Sequence, residues 1–273
     1  MSVWVNGRLR STLDCRDRGL NYGDGLFETM RVLGRRIRLL DYHLDRLYAG
    51  CRRLGMAAPH AVRLRRELER IASARNDAIL KLIVTRGSGA RGYRPSGRER
   101  ATRIIRLHPL PGGASQVAGP ARVRLCATPL SINPQLAGLK TLNRLDAVLA
   151  RAEWRDARIW EGLMGDGEGG WVCGTMSNLF LVHGRTLATP LLDRCGVAGV
   201  MRRWILASAA RLRLRPVERR IRWQDLASSD EVFMSNAVVG IRSVRTIERS
   251  AGEALRFSCT RTADGLRALL ELQ

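Results

Sequence analysis

Lysine is nearly missing from this chain of 273 residues: of its 47 lysines and arginines, only Lys81 and Lys140 are lysine. Arginine serves wherever a positive charge alone is wanted, but its guanidinium stays protonated and cannot act as an amine nucleophile near neutral pH. Each retained lysine is therefore a candidate for covalent chemistry, against the plain alternative that both are remnants of a composition drifting toward arginine. Long apolar runs are also missing, and none approaches the roughly 20 residues of a membrane span. The opening "MSVWVNGRLR" is charged and contains glycine where a signal peptide needs an apolar core, so a cytoplasmic location is expected. Cys15, Cys51, Cys126, Cys173, Cys195 and Cys259 form no C-x-x-C pair, and the four histidines are equally scattered. Free thiols and no metal site are the expectation.

A net charge of +22 would suit a nucleic-acid binder, because phosphate neutralisation needs many cations on one surface. The arginines, however, are spread along the whole chain, and four Phe and four Tyr offer little base stacking. A basic nucleic-acid module is kept only as an alternative from another class, and no specific nucleic acid is expected as a partner. The hydrophobic content of 45% is normal for a chain with a buried core.

Asn6-Gly7 between apolar residues predicts a tight hairpin. "DRGLNYGDG" reads as a close-packed loop and "LFETMRVLGRRIRLL" as strand, Gly turn and strand. Leu44, Leu47, Cys51 and Leu54 recur at helical spacing behind Asp41 as N-cap, and Val62, Leu64, Leu68 and Ile71 repeat that pattern. "AILKLIVTRGSG" and "ATRIIRLHPL" read as strands. Three of the nine prolines fall in 109–121, which marks a linker. Beyond it we expect strands at "RVRLCATPL", "WVCGTMSNLFLVHG", "TLATP", "VERRI" and "EVFMSNAVVGI". Helices are expected at 141–154 on a Leu142, Leu145, Leu149, Ala152 stripe, at 197–213 and at 260–271. The fold class is α/β (α+β) with two domains, a smaller one over 1–110 and a larger one over 122–273, joined by 111–121.

Lys140 precedes the expected helix at 141–154, where the positive end of a helix dipole disfavours the charged amine. Lys81 interrupts an apolar strand, where a lysine usually reaches an edge or pairs with an acid.

Five stretches, "NYGDGLFETMRV", "TRGSGARGY", "GLKTLNRLDAVLARAEW", "CGTMSNLFLV" and "CGVAGVMR", resemble in order the motifs of the fold-type IV pyridoxal-phosphate enzymes. Among these they look most like the lyases acting on aminodeoxychorismate. The resemblance implies pyridoxal 5'-phosphate as cofactor, Lys140 as its Schiff-base lysine and Arg46 on its phosphate. It also implies a phosphate cup from Val200 and Met201 at a helix start with Ser235, Asn236 and Ala237, and adjoining roles for Ser177 and Asn178. The activity implied is release of 4-aminobenzoate and pyruvate, a step toward folate, by a homodimer. An aminotransferase for D-amino or branched-chain amino acids shares most of these features.

There is one departure. Where the family usually has a glutamate that keeps the pyridine nitrogen protonated, this chain has Cys173, a weak hydrogen-bond partner. A weaker electron sink is expected unless Glu161 or Glu168 reaches the ring from an irregular loop. For the dicarboxylate substrate the loop "RGSGARGYRPSGR" offers Arg86, Arg91, Arg94 and Arg98, about twice the arginine its length predicts. The resemblance selects Arg91 and Tyr93, with Thr29 and Tyr22 lining the pocket.

Overall fold

Asn6 and Gly7 take positive φ, 52° and 86°, and turn β1 (Ser2–Val5) back on β2 (Arg8–Leu9) with Val5 opposite Arg8. The computed structural model describes residues 2–110, 119–249 and 252–272. Positions 111–118 of the expected linker lie outside the described residues. The chain divides into two units, Met1–Ser115 with Leu139–Asn143, and Gln116–Gly138 with Arg144–Gln273.

In the first unit α1 (Arg18–Tyr22) stands where the sequence reads as a loop. Asp17 caps it by accepting from Gly19 N at 2.8 Å. β3 (Gly25–Leu33) and β4 (Arg36–Ile37) flank a turn at Gly34 and Arg35 with φ of 56° and 63°. α2 (Leu40–Arg53), α3 (Ala61–Ala72), β5 (Asp77–Thr85) and β6 (Thr102–His108) complete an antiparallel sheet ordered β2-β1-β6-β5-β3-β4. Asp41 is not the N-cap of α2. Leu39, at φ 55°, holds that place, and Asp41 sits in the first turn paired with Arg65 of α3. Alternate strand residues face opposite sides. Leu26, Met30, Val32, Leu80, Leu82, Val84 and Ile105 are buried, as are Leu44, Leu47, Leu64, Leu68 and Ile71 of the helices. Each such side chain contributes about 1.5–3 kcal/mol. Val62, expected on the α3 stripe, is exposed.

Leu139–Asn143 belongs to this unit, which corrects the expectation that Lys140 lies in the 122–273 domain. The reason is backbone pairing: Phe27 N donates to Lys140 O and Leu142 N to Gly25 O, both at 3.0 Å, with a bridge between Leu26 and Thr141. Each bond contributes about 1 kcal/mol and satisfies groups at the start of β3.

The second unit contains β7 (Ala121–Leu125), α4 (Leu145–Ala152), β8 (Ile159–Gly165), β9 (Trp171–Gly174), β10 (Asn178–His183) and β11 (Thr186–Pro190). α5 (Val200–Ser208) follows, prolonged by a 3-10 turn at Ala209–Leu212, then β12 (Arg215–Arg219), α6 (Trp223–Ala227), β13 (Glu231–Asn236), β14 (Gly240–Glu248), β15 (Ala254–Arg256) and α7 (Arg261–Glu271). The sheet runs β12-β11-β10-β13-β14-β7-β8-β9 and closes on itself where Asn178 of β10 pairs with Cys173 of β9. Leu163, Leu179, Leu181, Val232, Met234, Val244 and Ile247 fill one core.

Three expectations change here. The helix placed at 141–154 starts only at Leu145, with Arg144 at its N-cap and no side-chain cap bond, so Lys140 lies five residues before it and the helix-dipole argument for it falls. Its stripe is not core, since Leu145 and Leu149 are 77% and 62% exposed. "EVFMSNAVVGI" is a hairpin rather than one strand, because Asn236 Oδ1 accepts from Val238 N at 3.0 Å and Val239 N at 2.8 Å and turns the chain. Among the described residues no helix is long and apolar enough to cross a membrane.

Candidate active site

β3 organises the first unit's polar residues. Phe27 lies on the less buried face, and Lys140 Nζ sits 4.2 Å from its ring centroid. Lys81 Nζ, from β5, lies 5.2 Å from the same centroid. Its position follows from register: Lys81 is opposite Thr29, two residues and one pleat repeat from Phe27. Lys81 has no carboxylate partner among the described residues and shares an aromatic ring with Lys140.

Glu28, facing the packed side, is 2% exposed. It accepts from Arg46 Nε at 2.8 Å, pairs again with Arg46 Nη2, and meets His43 Nδ1 at 2.5 Å. Burial alone would raise the Glu28 pKa, but the Arg46 charge and the His43 and Arg46 hydrogen bonds outweigh it and hold the carboxyl at about 2. Burial lowers the His43 pKa, outweighing the Glu28 bond. The cluster is therefore a carboxylate neutralised by Arg46, with neutral His43 donating Nδ1–H. His43 Nε2 is buried with no hydrogen-bond partner. Sequence reasoning found Arg46 and missed Glu28 and His43. The available signal was a glutamate in the buried register of an apolar strand, which demands a partner.

The loop after β5 is fastened by α1. Arg18, 3% exposed, bonds Asp24 at 3.0 Å, Gly92 O at 2.8 Å and Tyr93 O at 2.7 Å. Gly92 N donates to Tyr22 Oη at 3.1 Å, and the Tyr22 and Tyr93 rings lie 5.4 Å apart. Arg91, Arg94 and Arg98 are exposed, and Tyr93 is 86% exposed. Arg86 is committed elsewhere: it bonds Asp24 at 2.7 Å and the carbonyls of Leu54 and Gly55 at 2.8 Å. Tyr22, Arg91 and Tyr93 are thus on one fastened loop system, whereas Thr29 stands opposite Lys81 on the sheet.

In the second unit three strands place Cys173, Asn178 and Ser235 directly opposite one another. Asn178 Nδ2 donates to Val197 O at 2.8 Å, which ties this row to the start of α5. Gly199 is the N-cap of α5, and a Cβ there would lie 2.0 Å from Asn178 Oδ1, so only glycine lets the turn approach. The first-turn amides at Val200 and Met201 have no acceptor within the helix. Ser235 Oγ is buried without a hydrogen-bond partner, and Asn236 and Ala237 form the adjoining turn. A helix start, an orphaned hydroxyl and a glycine-only approach fit a phosphate ester.

Cys173 packs with Cys126, Trp154, Met164, Val172 and Cys195. Burial, then Cys195 and Glu161, push its thiol up to about 12. Neither acid considered as a substitute is available. Glu161 lies in strand β8, not an irregular loop, and accepts from Thr175 Oγ1 and Ser177 Oγ at 2.6 Å and from the amides of Gly162, Thr175 and Met176. Burial raises its pKa against those bonds. Ser177 is thereby occupied in holding Glu161. Glu168 is paired with Arg194 and Arg220 at the surface.

The amino-transferase class IV family pattern matches residues 25–247. The aminodeoxychorismate lyase of Vibrio harveyi is 33% identical over 249 residues, covering 89% of this chain and 90% of that protein. A putative branched-chain-amino-acid aminotransferase of Methanocaldococcus jannaschii is 28% identical, covering 91% and 88%. The crystal structure of 4-amino-4-deoxychorismate lyase from Pseudomonas aeruginosa superposes with a TM-score of 0.90 at 43% identity, covering 99% of this chain and 98% of that one.

Proposed function

Because the chain belongs to the amino-transferase class IV family, we propose that it is a pyridoxal-phosphate lyase converting 4-amino-4-deoxychorismate to 4-aminobenzoate and pyruvate. The observation that carries this reading is Lys140, one of only two lysines, clamped by backbone bonds to β3 with its amine over Phe27. Pyridoxal phosphate, when bound, supplies the electron sink. Lys140 would hold it through Nζ, and the Lys140 amine would take the proton from the ring carbon bearing the substrate's amine. Departure of the neighbouring enolpyruvyl group leaves an aromatic ring, which makes the elimination strongly downhill.

Arg46 and the cup residues Val200, Met201, Ser235, Asn236 and Ala237 serve the phosphate, with Asn178 holding the cup's turn and Ser177 supporting it through Glu161. Arg91 and Tyr93, on the loop fastened by Arg18, meet the substrate's carboxylates, since guanidinium forks match carboxylates well. Thr29 and Tyr22 line the pocket. The six free cysteines suit a reducing compartment, and we place the enzyme in the cytoplasm. The test is pyruvate release from aminodeoxychorismate with a lactate dehydrogenase couple, and absence of pyruvate from the reconstituted chain overturns the reading.

A same-fold aminotransferase is the rival that the archaeal relative supports. Cys173 argues against it, because a neutral thiol does not hold a pyridine nitrogen protonated and transamination depends on that proton more than an aromatising elimination does. Cys173→Glu should raise side transamination relative to pyruvate release by about tenfold, one pKa unit's worth of preference for the protonated ring. An unchanged cofactor spectrum and product ratio would show that Cys173 does not face the ring nitrogen.

We also assign a homodimer. Leu145, Val148 and Leu149 on α4 are 77%, 60% and 62% exposed, an apolar face of the kind that marks a protein interface. Leu145→Asp combined with Leu149→Asp should halve the mass seen by light scattering. A parent that is already monomeric at micromolar concentration removes the assignment.

A further inference from the structure

Arg18 holds the loop after β5 at two points. Its backbone N–H donates to Gly87 O at 2.9 Å, and its guanidinium donates from Nη1 to Gly92 O at 2.8 Å and from Nη2 to Tyr93 O at 2.7 Å. A guanidinium only 3% exposed is tolerated where its donors are used. Here Nε is taken by Asp24 at 3.0 Å, and Cζ lies 4.9 Å from the Tyr22 ring centroid. We propose that Arg18 is a positioning residue for substrate binding: by gripping the carbonyls of Gly92 and Tyr93 it fixes, before substrate arrives, the directions in which Arg91 and Tyr93 leave the loop. The proposal rests on reading Arg91 and Tyr93 as the residues that meet the substrate's carboxylates.

The grip is made from a fixed support. Asp17 accepts from Thr85 Oγ1 at 2.9 Å, and a Cβ at Gly19 would lie 2.2 Å from Thr85 Cγ2, so only glycine lets α1 approach the strand end from which the loop departs. Gly92 N donates to Tyr22 Oη at 3.1 Å, and Gly92 takes a φ of 101°, a conformation glycine adopts without strain. A Cβ there would have open space, so the glycine is demanded by the backbone and not by crowding. Arg91, which is exposed, is thus followed directly by a residue held at both its N–H and its carbonyl. Ordering the loop in advance removes a cost that binding would otherwise carry.

Arg18→Met removes the guanidinium but keeps the backbone bond to Gly87, and Asp24 stays paired with Arg86 Nε at 2.7 Å. The variant should raise KM for aminodeoxychorismate roughly tenfold and leave kcat within about twofold, because carboxylates whose charge does not change during the reaction are bound alike in the ground and transition states. Arg18→Lys, a point charge in place of a fork, should raise KM at least about threefold. A second readout needs no turnover: limited trypsin digestion read by mass spectrometry should show cleavage after Arg91 about tenfold faster in Arg18→Met than in the parent, since a protease requires a segment that opens locally. A purely structural role would lower the melting temperature and the active fraction while KM and the cut after Arg91 stayed as in the parent. Either an unchanged cut after Arg91 or a parental KM in both variants overturns the proposal, and Arg18→Lys carries both measurements if Arg18→Met does not fold. The reading of Arg91 fails separately, if Arg91→Met keeps the parent's KM. The lyase reading fails if the parent releases no pyruvate, and the trypsin measurement then still decides whether Arg18 holds the loop.

Discussion

Lys140→Ala, reconstituted with pyridoxal phosphate, should release pyruvate at least about a thousandfold more slowly than the parent. A positioned general base alone contributes roughly 10²–10⁴-fold, and the same nitrogen is assigned the anchoring role, so the two losses do not simply add. Stability should hardly change. The segment is fixed by main-chain bonds from Phe27 N to Lys140 O and from Leu142 N to Gly25 O, which alanine keeps. A melting temperature equal to the parent's would therefore separate lost chemistry from lost folding. Borohydride reduction of the parent should leave its adduct on the peptide containing Lys140. An adduct on Lys81 instead, or a variant that keeps the parent's rate, ends the assignment.

Glu28→Ala should destabilise the fold by about 3–5 kcal/mol, the usual result of removing one member of a buried ion pair. It would leave Arg46, whose side chain is 14% exposed, without its two-point partner, and His43 Nδ1 without an acceptor. Urea unfolding would measure the loss, and a change below about 1 kcal/mol would mean that water replaces the carboxylate at little cost. The pH dependence has a definite sign. Glu28 has a folded pKa of about 2, below the unfolded value of about 4.3, so its contribution is complete above about pH 4.5 and is lost as pH falls through 2. His43 acts in the same direction, because its pKa is lowered by burial: its contribution is present above about 6.5 and declines below that, by at most about 1.4 kcal/mol per pH unit. Stability should therefore begin to fall near pH 6.5 and fall further below 4.5, and Glu28→Ala should flatten the lower step.

Many arginines are structural: Arg18 and Arg86 share Asp24, Arg46 holds Glu28, Arg202 pairs with Glu218, and Arg220 bonds Asp166 and Glu168. Replacing lysine with arginine in such forks preserves or improves them.

Local chemistry was legible in the residues. Asn6-Gly7 turned as its positive-φ preference requires, the stretches read as strands in "LFETMRVLGRRIRLL" and "AILKLIVTRGSG" became the paired β3 and β5, and the helices expected at 197–213 and 260–271 appeared with their ends trimmed. The helix expected over 141–154 starts only at Leu145 because Leu139–Asn143 is claimed by open backbone groups of β3, more than 100 positions earlier, and tertiary hydrogen bonding overrode the local pattern. The strand at 231–241 failed because one Asn side chain, bonding two amides, bends the chain within an apolar run.

The order of motifs, the scarcity of lysine and the thiol at position 173 are properties of the chain as written, and they sufficed to point to a family, a reactive amine and a weakened electron sink. Which groups stand beside that amine was decided only by folding. Lys81 over Phe27, the burial of Glu28 with His43 and Arg46, and the capture of Glu161 by Thr175 and Ser177 all depend on register between distant strands or on burial. Periodicity tells which side of a strand a residue faces, but the partner it meets there, and hence its charge, is set by the three-dimensional neighbourhood.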